Sequence, residues 1–337
     1  MMHIDWGRLQ KIIPIIVFAI FSTALSYSSE KIIPLTNLNT PDSIVMDDER
    51  IYIEDGSTIK LFDTTDFKFI KTIGREGQGP GEFQDFANPQ ILPDYILVSG
   101  TNKVAYFSKT GDFIKEKKHT LLVPLVKAIE NNYVGYVWVF KEDYVAYILY
   151  DSDFNPIKEL HRGRGLIHPN RRRDFFEIFF YDTYKDKIVV AQRKGFAIDI
   201  YDSEGNILYS IKHKANQVPF TNEDRKMVIT YWKESGLEQW QVDRLEKRTD
   251  FPDYYPPIQT CRLADGKIYV ITYTKKDDKY ECLVFDMDGK FIKEAYFPLK
   301  MLAPNLASPF TIKGNNLYQL IFNYEKENWE LHINQID

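Results

Sequence analysis

Val284-Phe285-Asp286-Met287-Asp288-Gly289-Lys290-Phe291-Ile292 holds the unit that decides the fold. An apolar strand ends in an aromatic, a polar turn follows, and a second strand begins. The unit returns as Tyr106-Phe107-Ser108-Lys109-Thr110-Gly111-Asp112-Phe113-Ile114 and as Ile200-Tyr201-Asp202-Ser203-Glu204-Gly205-Asn206-Ile207-Leu208. Looser copies are Leu149-Tyr150-Asp151-Ser152-Asp153-Phe154-Asn155-Pro156-Ile157 and Leu61-Phe62-Asp63-Thr64-Thr65-Asp66-Phe67, with Phe69-Ile70 following. Asp or Ser after the aromatic can cap the turn through its side chain, and Gly or Asn accepts the left-handed backbone a tight hairpin needs.

Upstream of most copies lies another hydrophobic run, such as Arg50-Ile51-Tyr52-Ile53 or Lys267-Ile268-Tyr269-Val270. Each repeat is therefore four short antiparallel strands. A sheet of ~40 to 45 residues cannot bury both faces alone, so copies must stack, and radial stacking gives a propeller. Phe62, Phe107, Tyr150 and Tyr201 are spaced close to one repeat, whereas Tyr201 to Phe285 is nearly double. The excess is read as a helical insertion, about residues 219–250. There Thr221 with Asp224 fits a capping box, and Met227, Val228, Tyr231 and Trp232 form a stripe. A second helix is expected to turn Trp240 and Leu245 inward. A partial last unit, with strands at 317–322 and 329–333, lacks its outer strand. Lys31–Leu35 is expected to supply it, closing the ring and removing a free edge. The fold class is all-β: a six-bladed β-propeller of four-stranded antiparallel blades, residues 27–337.

Gly74-Arg75-Glu76-Gly77-Gln78-Gly79-Pro80-Gly81-Glu82-Phe83, followed by Pro89, resembles the blade-to-blade linker of NHL-repeat propellers. Pro256-Pro257-Ile258 and Asp265-Gly266-Lys267-Ile268-Tyr269-Val270 resemble a bacterial six-bladed propeller family of unsettled function. The same glycine-rich stretch is not read as a phosphate loop, because Pro80-Gly81 leads into a strand and no helix opens at its end.

The first residues read as an export signal. Arg8 and Lys11 precede an apolar stretch at 12–25, and Ala24-Leu25-Ser26 supplies small residues before Tyr27. The run is shorter than a spanning helix wants, so residues 1–26 are expected to be removed, leaving no stable membrane span. A lipid-anchoring cysteine near the cut is missing, since the two cysteines are Cys261 and Cys282. A periplasmic or extracellular monomer follows. The formal net charge of −5 argues against nucleic acid as a partner.

Five arginines converge in His161-Arg162-Gly163-Arg164-Gly165-Leu166-Ile167-His168-Pro169-Asn170-Arg171-Arg172-Arg173. Guanidinium groups suit carboxylate, sulfate or phosphate; the plainer reading is a solvated loop. The connections between blades are long, while the turns within the repeat unit are short, so one face is elaborated. The ligand-binding set is therefore Arg75, Arg162, Arg164, His168, Arg171, Arg172 and Arg173. The partner is a protein, a peptide or a glycan, with anionic groups favoured. No catalytic, metal or cofactor residues are assigned: there is no G-x-S-x-G elbow, and neither cysteine lies in a C-x-x-C pattern. The rival reading is a hydrolase or lyase holding Ca²⁺ or another divalent ion in the central channel. Cys261 and Cys282 fall on the first and third strands of one blade, so two buried, unbridged thiols are expected.

Overall fold

The computed structural model describes residues 30–121, 125–139, 141–142, 144–164, 172–176, 180–192 and 195–336. The export segment expected at 1–26 lies outside them. Six four-stranded antiparallel sheets are present. From the inner strand outward, blade 1 is Pro41–Met46, Arg50–Asp55, Thr58–Asp63 and Phe69–Ile73; blade 2 is Asn88–Ile91, Tyr95–Gly100, Lys103–Ser108 and Phe113–Lys118. Blade 3 is Val126–Ile129, Asn132–Val139, Tyr144–Tyr150 and Pro156–Arg164. Blade 4 is Phe180–Tyr184, Lys187–Gln192, Ala197–Tyr201 and Ile207–Lys212; blade 5 is Thr260–Ala264, Lys267–Lys276, Lys279–Asp286 and Phe291–Phe297. Blade 6 is Phe310–Lys313, Asn316–Asn323 and Asn328–Gln335, and its outer strand is Lys31–Leu35.

The closing strand pairs as its position demands. Lys31 lies opposite Ile333 and Leu35 opposite Trp329, so the two ends of the described chain zip the ring. The core is divided by seams, because each blade is apolar on both faces and buries each against a neighbour. Ile96 and Val98 of blade 2 meet Tyr52 and Leu61 of blade 1. Leu320 and Leu331 of blade 6 meet Ile44 and Ile51, which completes the circle.

The hairpin motif does what its residues suggest. Asp202 Oδ1 accepts from the backbone N–H groups of Glu204 and Asn206, and Asp286 Oδ1 from those of Asp288 and Lys290. In blades 1 to 5 a β-bulge follows the turn. Phe107 pairs with Phe113 and Tyr106 with Lys115, which leaves Ile114 extra and exposed. Ile70, Ile157, Leu208 and Ile292 are its counterparts. A bulge interrupts the outer edge and makes it a poor template for further strand pairing.

The insertion is helical as expected. Helix α1 (Asn222–Glu234) opens on a capping box between Thr221 and Asp224, and helix α2 (Gln239–Arg248) follows. Their facing differs in part from the periodicity. Val228 and Val242 are the buried residues, whereas Met227 is 48% exposed and Trp240 62% exposed. The two helices meet each other and the rim through narrow stripes, so only one or two positions per helix reach the interior. Cys261 and Cys282 are buried and unbridged, each lying opposite a different residue of the intervening strand.

Candidate functional site

Antiparallel alternation sends the turns between first and second strands, and between third and fourth, to one face. The connections between blades emerge on the other face, and the helical insertion belongs to the connection from blade 4 to blade 5. An aromatic cluster fastens it to the ring. Phe220 stacks on Phe251 at 5.9 Å, Tyr255 on Tyr273 at 4.0 Å, and Phe176 touches Phe220, Tyr255 and Tyr273. The neighbouring connection is tied in as well. Arg173 and Asp174 form a two-residue parallel bridge with Thr249 and Asp250 at the end of α2.

The arginines of this face have local partners. Arg172 Nε lies 3.0 Å from an Asp250 carboxylate oxygen, and one of its terminal N–H groups donates to Thr249 O at 2.6 Å. Arg173 donates to Thr249 Oγ1 at 3.1 Å and lies over the Trp232 ring. Beside them, Arg172, Arg225, Asp243, Glu246 and Lys247 line a cavity of about 520 Å³. Within it Arg225 pairs with Glu246 at 2.7 Å.

Arg162 and Arg164 are not loop residues. The outer strand of blade 3 runs to Arg164, which pairs with Tyr144, because the third strand is long enough to continue the ladder. Arg162 makes a two-pronged pair with Glu159 at 2.8 and 2.7 Å and lies 3.8 Å from the Tyr144 ring centroid. Arg75 belongs to the blade 1–2 connection, where its Nε donates to Glu82 at 2.6 Å. His168 and Arg171 lie outside the described residues. The structure thus brings Arg172 and Arg173 together with the insertion, and leaves Arg75 in a connection that does not adjoin them. Sequence reasoning missed the carboxylates Glu159, Asp250 and Glu246. Only Glu159, three residues before Arg162, could have been found from spacing.

The first and second strands carry polar contacts, several of them from blade to blade. Glu54 accepts from Ser43 at 2.6 Å and from Asn88 at 2.8 Å, and burial raises its carboxyl above the usual range. Gln90 donates to Ala128 O at 3.1 Å and to Thr183 at 2.8 Å. Arg262 stacks on Phe310 and donates to Thr260 and Cys261 O; burial pushes it down to about 10. Among the described residues, no three His, Cys, Asp or Glu side chains gather where a metal could be held.

Residues 36–162 match the model of a family described as a 6-bladed β-propeller. Two crystal structures share the architecture. One, from Bacteroides fragilis, bears the name "Putative exported protein": 13% identity, TM-score 0.56, covering 92% of this chain and 95% of that one. The other is a member of the DUF4221 family from Bacteroides vulgatus, at 13% identity and TM-score 0.50, covering 92% and 96%. At such identities the likeness is one of fold. No curated protein matches the chain.

Proposed function

We propose that this is an exported binding propeller whose insertion-bearing face recognises an anionic peptide, protein or glycan without performing chemistry on it. The observation that carries the reading is the rigid joining of Arg172 and Arg173 to the helical insertion through the bridge to Thr249 and Asp250. Elaborated connections held on a stiff ring are where binding groups concentrate. The Asp250 and Glu246 carboxylates already occupy Arg172 and Arg225. An incoming anion exchanges with them, so the binding is moderate and strongly salt-dependent. Export rests on the apolar segment at 12–25 and agrees with the name of the Bacteroides fragilis neighbour.

Two measurements test it. Exported material should begin near Tyr27 on N-terminal sequencing; a chain retaining Trp6 in a membrane fraction would contradict cleavage. On arrays of sulfated and carboxylated glycans and acidic peptides, Arg172→Ala should weaken capture about tenfold, the size of one charge-assisted contact. Capture that neither salt nor this substitution alters would overturn the reading.

A further inference from the structure

Several departures from the repeat converge on one seam, between blades 2 and 3. The residue opposite the aromatic that ends the third strand is Ile51, Ile96, Ile188 and Ile268 in blades 1, 2, 4 and 5, but Tyr133 in blade 3. The residue before that aromatic is Leu61, Leu149, Ile200 and Val284, but Tyr106 in blade 2. The fifth residue of the outer strand is Ile73, Leu160, Ile211 and Ala295, but Lys117 in blade 2. Three turns carry glycine, Gly111, Gly205 and Gly289, where blade 3 carries Phe154 and blade 1 carries Phe67, both left-handed.

These changes act together. At the glycine turns, a Cβ would meet the preceding blade's outer strand at 2.7 Å from Ile73, 2.8 Å from Leu160 and 3.0 Å from Tyr209, so those seams are closed. Phe154 instead keeps a left-handed φ of 63°, a strained state for a bulky residue. Its ring turns inward to stack on Tyr133 at 4.5 Å. Lys117, in place of an aliphatic filler, reaches the turn at Ser152 O and Asp153. What remains is a groove of about 790 Å³, within the range of small-ligand sites, opening on the face opposite the insertion.

We infer that this seam is a saccharide-binding groove. Its walls combine the rings of Tyr95 and Tyr106, 5.2 Å apart, with donors and acceptors at the rim. The Tyr106 and Tyr133 hydroxyls bond each other, so the pair retains one donor and several acceptor positions for a ligand. The Lys115 ammonium lies over the Tyr106 ring with no carboxylate within salt-bridge distance among the described residues, and Glu130 and Asn131 stand at the rim. Aromatic faces edged by mixed polar groups suit a polyhydroxylated ring, with apolar C–H faces and a polar circumference. A peptide added as a strand is disfavoured, because the bulge at Ile114 breaks the edge it would pair with. The inference is independent of the anionic-partner reading of the other face.

The test strips the groove of its distinguishing side chains by installing the residues other blades use: Tyr106→Leu, Lys117→Ile, Tyr133→Ile and Phe154→Gly combined. Affinity electrophoresis in gels containing amylopectin, xylan, pectin or chondroitin sulfate should show the full chain retarded by at least one polysaccharide. The stripped variant, which lacks the aromatic walls, should migrate freely, and Arg172→Ala should remain retarded. If the stripped variant does not fold, Lys115→Ala with Asn131→Ala, both exposed positions, should reduce retardation several-fold. Absence of retardation in every gel, retardation unchanged by these substitutions, or a groove that captures acidic peptides and no polysaccharide would each overturn the inference.

Discussion

Gly111 lies directly on Ile73. A Cβ at this turn would come within 2.7 Å of two Ile73 side-chain carbons, and the backbone holds φ at +83°. The glycine is thus required twice, by its own conformation and by the seam between blades 1 and 2. Gly56 separates the two requirements, since it has φ +60° and nothing within 4 Å of a Cβ. Gly56→Ala should cost about 1 kcal/mol from the backbone alone. Gly111→Ala should cost about 2 to 4 kcal/mol, the excess being overpacking. Urea midpoints for the two variants decide it; equal losses would mean the seam yields freely.

The ring closes on backbone pairing and on Leu35, which is 4% exposed and packs with Ile44, Leu320 and Leu331. Leu35→Ala should lower stability by about 2 to 4 kcal/mol, like other buried leucines. Chemical unfolding measures it directly. A loss below about 0.5 kcal/mol, the size of an ordinary surface change, would show that the closing strand contributes little.

The blade count, the closing strand and the Thr221 cap were legible because each rests on local chemistry. Turn residues, period-two runs and a capping box speak within a few positions. The pairing of Arg172 with Asp250 was not legible, since distant parts of the chain form it. Trp240 was read inward from its type, but α2 offers Val242 to the core and leaves the indole outside. The groove at Tyr106 and Tyr133 escaped notice for another reason. An aromatic in a propeller strand looks like core until the register shows that every equivalent position is aliphatic.

Cys261 and Cys282 flank the middle strand of blade 5, opposite Val270 and Ile271. Strands one and three of a sheet are ~9.6 Å apart, beyond the ~7 Å that a disulfide tolerates. Burial also pushes the Cys282 thiol well above its ordinary value, so it holds its proton and reacts slowly. A thiol reagent should label neither residue in the native protein. In denaturant without reductant it should label both, and finding no free thiol there would mean the blade is built otherwise.

His119 is 7% exposed, its ring lies 4.8 Å from Phe154, and neither ring nitrogen has a hydrogen-bond partner. Burial pushes it from 6.5 down to about 4. Below pH 6.5 the unfolded chain takes up a proton that the folded chain refuses. Stability from this group is therefore complete above pH 6.5 and drains away as pH falls toward 4. The full loss is about 3 kcal/mol for a shift of this size. Buried carboxylates also titrate there, so the informative quantity is the difference between wild type and His119→Leu. The variant should match or exceed wild-type stability at neutral pH, because it removes two unsatisfied polar atoms from the interior. It should then lose markedly less on acidification. Parallel stability–pH curves for the two proteins would mean that His119 finds a proton partner in the folded state.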